Sequence, residues 1–250
     1  MGILDIFGGG KSPERATKLK AKVIQKYGGP EPRQKAIQQL AEMEFPEATA
    51  SLLARFTITV EPATTDTDEK EHVFGLIRAR GEAAVEPLRT FLRRNDQASS
   101  WAMRLLREIL PRDRYVAVVV EHVGELADVY TRDPEKKLVL LHEAESLDDP
   151  RLAPRILPFL EDMVDDVKIA ALRALGPRAY PEAREPMLKL LTGPETARRV
   201  QTSAVEAIAR SGFGVQGYRE KVESLLPEPF FVDKAGVLKR RGAPATGQPE

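Results

Sequence analysis

The sequence predicts an all-α chain of stacked helix pairs, on three observations. An apolar stripe with helical spacing returns along the chain at steps averaging about 33 residues. Between its copies lie helical segments of another character, three of them carrying an internal proline. Pro-Glu pairs and glycines punctuate the points where helices should begin and end.

In order along the chain, the stripes begin at residues 33, 70, 98, 137, 167 and 200. The first reads Ala36, Ile37, Leu40 and Ala41, and the second Val73, Phe74 and Ile77. The third is fuller: Ala98, Trp101, Ala102, Leu105, Leu106 and Ile109. The fourth is Leu140, Leu141 and Ala144. The fifth is the clearest, with Val167, Ala170, Ala171, Ala174 and Leu175 at offsets 0, 3, 4, 7 and 8, one face of a buried helix. Its alanines predict a close backbone approach to neighbouring helices. The sixth repeats it as Val200, Ser203, Ala204, Ala207 and Ile208.

The intervening segments are 46–56, 82–94, 149–162 and 181–191. Pro87, Pro154 with Pro158, and Pro186 fall inside three of them and are expected to bend those helices, because proline removes a backbone hydrogen bond. Proline followed by glutamate at 13, 30, 46, 134, 181 and 194 reads as a helix start. Ser12, Asp133 and Asp149 are placed to serve as N-caps, and Gly81, Gly176 and Gly212 to stop helices. Residues 57–67 read as an irregular insert, and 112–130 are unusually β-branched for a helix. Residues 230–240 read as two short strands around a turn at Asp233–Gly236, a hairpin able to cover the last helix pair.

This pattern resembles HEAT repeats: a proline-bearing outer helix, then an inner helix of the D-V-x-x-A-A-x-x-A-L type, here Asp166 to Leu175. The match is best over 82–210 and looser over 13–80. The resemblance implies an α-α superhelix, a HEAT-like solenoid of about six helix pairs with a small C-terminal β-hairpin cap. The expected organisation is a flexible apolar arm over 1–12, the solenoid over 13–226, the hairpin over 227–241 and a disordered tail over 242–250. Such a resemblance specifies architecture better than function.

Composition narrows the functions. Lys+Arg and Asp+Glu are both 38, so there is no net basic excess for phosphate neutralisation, and nucleic acid is not expected as a partner. The absence of cysteine removes disulfides, thiolate metal sites and cysteine nucleophiles. No apolar run approaches the roughly 20 residues of a membrane span. MGILDIFGGG lacks a positive n-region and a long apolar core, so a cytoplasmic location is expected. Weak docking of this arm onto protein through Ile3, Leu4, Ile6 and Phe7 is expected as well.

The short motifs carry little chemistry. GGGKS at 8–12 lacks the first glycine of a phosphate-binding loop, Asp5 standing in its place. Gly212, Gly214 and Gly217 match G-x-G-x-x-G literally, but a helix precedes them where that fingerprint needs a strand. His72, His122 and His142 each adjoin a glutamate, yet no two stand four apart, and no cofactor or metal is expected. Paired acids such as Asp165 and Asp166 sit at helix starts, where capping accounts for them.

Counted from each stripe's start, offset +6 points away from the core, at Gln39, Leu76, Arg104, Glu143, Arg173 and Glu206. In HEAT-like arrays these inner faces line a groove. The expectation is therefore a non-catalytic scaffold, not an enzyme, holding a protein or peptide through Arg104, Arg107, Glu143, Lys168, Arg173, Arg199 and Glu206. Mixed signs suit a complementary protein surface. They equally suit a solvated face whose charges pair among themselves. The alternatives are a nucleic-acid-binding array, which needs a contiguous basic groove, and a likeness to the HEAT-like bilin lyases, which needs a pocket of carboxylates and aromatics.

Overall fold

The computed structural model describes residues 11–127, 129–131 and 133–242. Most of the expected apolar arm, including Ile3, Leu4, Ile6 and Phe7, and all but the first residue of the expected tail lie outside the described residues. The chain forms two compact units divided between Tyr115 and Val116.

In the first unit the helices are α1 (Pro13–Val23), α2 (Glu31–Ala41), α3 (Pro46–Leu53), α4 (Ala63–Ala79), α5 (Val85–Arg94) and α6 (Ser99–Ile109). The helix α7 (Arg112–Leu126) runs across the division. The second unit continues with α8 (Glu135–Glu145), α9 (Leu152–Ile156), α10 (Asp165–Leu175), α11 (Arg184–Thr192), α12 (Arg198–Ser211) and α13 (Arg219–Leu225). Strands β1 (Phe230–Val232) and β2 (Leu238–Arg240) close the fold as an antiparallel hairpin, Phe230 opposite Arg240. Consecutive helices pair, and the pairs stack in two layers. In the first unit α3 packs between α1 and α5, while α4 packs between α2 and α6. In the second, α10 packs between α8 and α12, and β2 covers α12. The fold is thus the all-α, HEAT-like array of helix pairs with a C-terminal hairpin.

Most predicted stripe residues lie in the core of each unit, while Ala41, Trp101, Ile109, Ala170 and Ser203 are half-buried. Val167, Ala171, Ala174 and Leu175 are fully buried, as are Val200, Ala204 and Ile208. The small stripe residues bring α10 and α12 close. A Cβ on Gly176 would lie 3.2 Å from the Cα of Ala207. Gly176 therefore serves close approach rather than a left-handed stop: its φ is −48°, and Ala179, at φ 46°, makes the reversal. Gly212 does end α12 in the left-handed region, at φ 68°. Ser12 caps α1, accepting a hydrogen bond from the amide of Arg15.

Two local expectations, the insert and the proline bends, are corrected. Residues 63–67 belong to α4, so the irregular insert shortens to the link before it. The β-branched run Val118 to Val120 is helical within α7, with Val118 and Val119 buried by tertiary packing that outweighs propensity. The internal prolines do not bend helix interiors. Pro87, Pro154 and Pro186 are each the third residue of α5, α9 and α11. In the first turn the missing amide has no helical partner to lose. Gly214 to Val215, within the literal G-x-G-x-x-G, bonds to the hairpin: the Val215 amide donates to the Gly236 carbonyl at 2.8 Å.

Side chains tie one pair to the next at helix C-termini. Arg80 donates to the Leu40 carbonyl at 2.7 Å, Ser211 to the Gly176 carbonyl at 2.9 Å, and Arg178 to the carbonyls of Ala144 and Leu147. These carbonyls would otherwise lack donors. Burial holds both guanidiniums, Arg80 and Arg178, below the ordinary arginine value.

Candidate functional site

The inner helices hold the residues singled out from the sequence, and most of their charges face one another across neighbouring pairs. Arg104 on α6 makes a two-pronged bond to Glu71 on α4, at 2.8 and 3.2 Å. Arg78 returns from α4 to Glu108 at 3.0 Å. Arg173 on α10 reaches Glu145 on α8 at 3.1 Å. Arg199 on α12 contacts Asp166 and lies 3.4 Å from Asp165 on α10, and Lys168 also meets Asp165 at 3.4 Å. Arg104 lies 4.1 Å above the Phe74 ring, beside Trp101, which stacks on Phe56 at 4.9 Å. Arg107 sits 5.8 Å from the Tyr115 ring. Glu206 is exposed, whereas Glu143 is buried, because α8 presents it inward. Contacts such as Glu71–Arg104 and Asp166–Arg199 span 33 residues, the repeat itself. Exposed pairs of this kind contribute about 0–1 kcal/mol each.

Sequence reasoning missed a charged cluster inside the first unit. Arg33 grips Glu69 through two bonds, at 2.5 and 2.8 Å. Arg55, with no exposed surface, donates to Glu69 at 2.9 Å and to Asp66 at 2.8 Å. Asp66 also takes Lys70 at 2.7 Å and the Val60 amide at 3.1 Å. Burial raises the Glu69 and Asp66 carboxyls, but the hydrogen bonds from these cations outweigh it and hold both below their ordinary values. The satisfied cluster anchors the link before α4 and leaves no open valence for a ligand. A sequence signal existed: Arg33, Lys70 and Lys137 stand at the first position of three stripes. Lys137 is likewise buried, 2.6 Å from Asp162.

A cleft of about 540 Å³ opens in the second unit. The segment 145–150 after α8, Ala153, and the segment 177–180 after α10 enclose it. Its polar lining is Glu145, Ser146, Asp148, Asp149, Arg178 and Tyr180; Leu147, Pro150 and Pro177 supply apolar walls. Arg178 donates through its two Nη groups to the carbonyls of Ala144, Leu147 and Ala174, while its Nε is buried without a hydrogen-bond partner among the described residues. Asp149 is held by Arg151 at 2.8 and 2.9 Å, which keeps its carboxyl below the ordinary value. Glu145 is shared with Arg173 at the rim. Asp148 is exposed and enters no ion pair within 4 Å among the described residues. Acceptors without a committed donor therefore outnumber free donors in the cleft. Among the described residues, no three His, Asp or Glu side chains cluster closely enough to hold a metal ion. No described helix is long and apolar enough to cross a membrane.

The fold and its paired inner faces place the chain among HEAT-like helix-pair arrays. No known protein family and no curated protein matches its sequence. One solved structure it compares with is human deoxyhypusine hydroxylase in complex with glycerol, at TM-score 0.35 and 11% identity. The comparison covers 85% of this chain and 93% of that one. That protein is by name an enzyme, which corrects two expectations: a helix-pair array without short catalytic motifs is no reason to read a non-catalytic scaffold or to exclude an enzyme. A likeness this distant assigns no chemistry to this chain.

Proposed function

We propose that the carboxylate-lined cleft of the second unit is the ligand site of this chain, and that it takes a small organic cation, an alkylammonium or guanidinium. The observation that carries this reading is the imbalance within the cleft. Three carboxylates line it, and its one cation, Arg178, has turned both Nη groups onto backbone carbonyls. An ammonium group entering beside Asp148 finds acceptors with unused lone pairs, and a planar guanidinium can be bound by two oxygens at once. Tyr180 and the two prolines offer apolar surface for the ligand's carbon chain, and an aromatic face for its charge.

The test is a thermal-shift series with putrescine, agmatine and, as the opposite charge, succinate. Binding the folded state stabilises it by RT ln(1 + [L]/Kd), about 2.7 kcal/mol at a hundredfold excess over Kd. Melting should rise with the amines and not with succinate, and Asp148→Asn should abolish the rise without lowering the melting point of the unliganded protein. An equal rise in the Asp148→Asn variant removes the cleft from consideration, and a rise with succinate alone reverses the assigned charge.

A further inference from the structure

The first helix lies in the other layer from the inner helices, with α3 and α5, and among the described residues lacks the cross-pair partners that the inner helices have. Arginines on α6, α10 and α12 reach back to a carboxylate on the preceding inner helix. Among the described residues no helix precedes α1, and its lysines have no such neighbour. Residues 11–26 hold six cations (Lys11, Arg15, Lys18, Lys20, Lys22 and Lys26) against the single acid Glu14. That is a local charge of +5 in a chain whose total is zero, so the remaining residues are net acidic by the same amount. The buried side of α1 is Ala16, Leu19 and Val23. Lys18, Lys20, Lys22 and Lys26 are all exposed. Lys11 alone of the six is ion-paired, at 3.7 Å to Glu42, and both partners are more than half exposed. Arg15, Lys18 and Lys22 follow one another at helical spacing along one flank, with Lys26 just past the helix end.

Two apolar side chains stand among these charges without cover. Ile24 is 37% exposed and Tyr27 86% exposed, directly after the helix. In sequence, the residues leading into α1 carry Ile3, Leu4, Ile6 and Phe7. A lysine cluster flanked by apolar and aromatic side chains has the chemistry of a membrane–water interface: ammonium groups meet anionic headgroups while the apolar groups enter the acyl boundary. Readout of nucleic-acid base edges draws instead on arginine forks and amide side chains, and five of these six cations are lysine point charges, Arg15 being the exception.

We propose that the exposed face of α1, with Ile24 and Tyr27, docks on an anionic phospholipid surface, holding the protein peripherally at a membrane. This face is separate from the cleft and does not depend on it. The test is co-sedimentation of the full chain with vesicles of phosphatidylcholine alone, and with vesicles of equal parts phosphatidylcholine and phosphatidylglycerol. Binding is expected only to the anionic vesicles, and salt should release it. Each lysine near such a surface contributes about fivefold in partitioning, so Lys18→Glu with Lys22→Glu should lower it at least about 25-fold. The neutral pair Lys18→Gln with Lys22→Gln guards against a folding defect, and both pairs are checked by melting. Tyr27→Ser should weaken vesicle binding while leaving its salt dependence unchanged. No sedimentation with anionic vesicles, or equal sedimentation of the intact chain and both lysine pairs, overturns the proposal. So does retardation of duplex DNA by the intact chain that the lysine variants lose, if vesicles are not bound.

Discussion

Removing the charge of Glu69 is the sharpest test of how the first unit is held. Glu69→Gln keeps the side chain's shape but leaves Arg33 and Arg55 facing a neutral amide. Both guanidiniums are buried, and Arg55 has no exposed surface at all. Three hydrogen bonds of 2.5 to 2.9 Å converge on this carboxylate, two from Arg33 and one from Arg55. Breaking a buried pair by removing one partner costs about 3–5 kcal/mol, because an uncompensated charge stays behind. Asp66 still faces Arg55, so the lower half of that range, about 3 kcal/mol, is expected. A domain's whole stability is about 5–15 kcal/mol, so the loss is a large fraction of it. The assay is urea unfolding followed by far-ultraviolet circular dichroism, with the midpoint falling and the slope unchanged. A loss under about 1 kcal/mol, the range of an exposed pair, would show that the cluster is solvated and not the anchor of the link before α4.

Other consequences follow from the same packing. Ala171→Glu places a charge in a fully buried position on α10, and should unfold the second unit or remove more than about 4 kcal/mol; a soluble variant with unchanged melting contradicts the stripe. Arg178→Met removes the donors to three carbonyls and should cost about 1–3 kcal/mol in a denaturant titration, whereas no loss would mean that water satisfies those carbonyls equally well. Acid should destabilise the first unit. Glu69 and Asp66 are held below their ordinary values of 4.5 and 3.8, so their contribution is complete above that range and is lost as pH falls through the lowered values. Circular dichroism against pH should show that loss, and Glu69→Gln should flatten its share of it.

Much of the array was legible because burial repeats with the period of the helix. Val167, Ala171, Ala174 and Leu175 declare an inner helix from spacing alone, and the alternation around Asp233–Gly236 declares a hairpin. What stayed hidden has two causes. Apolar counting passes over a buried cation, so Arg33 and Lys137, which open their stripes, read as gaps, although each sits in the core against a carboxylate. The partners are also distant: Arg33 meets Glu69 across 36 residues, and a local window sees only one of them. The cleft was hidden for a different reason. Asp148 and Asp149 look like the acids of any helix start, and only the return of the chain at 177–180 turns them into the wall of a cavity. The proline positions misled because the segments were placed a few residues too early, and a first-turn proline was read as an interior one.

The assignment of the cleft is tested most directly by isothermal titration of agmatine into the intact chain and into Asp148→Asn. Saturable heat with the intact chain, one ligand per chain, and a loss of at least about tenfold in affinity with the variant is the expected result, as for removal of a charged hydrogen-bond partner worth about 1.5–3 kcal/mol. No saturable heat with the intact chain, or the same affinity in both proteins, contradicts it.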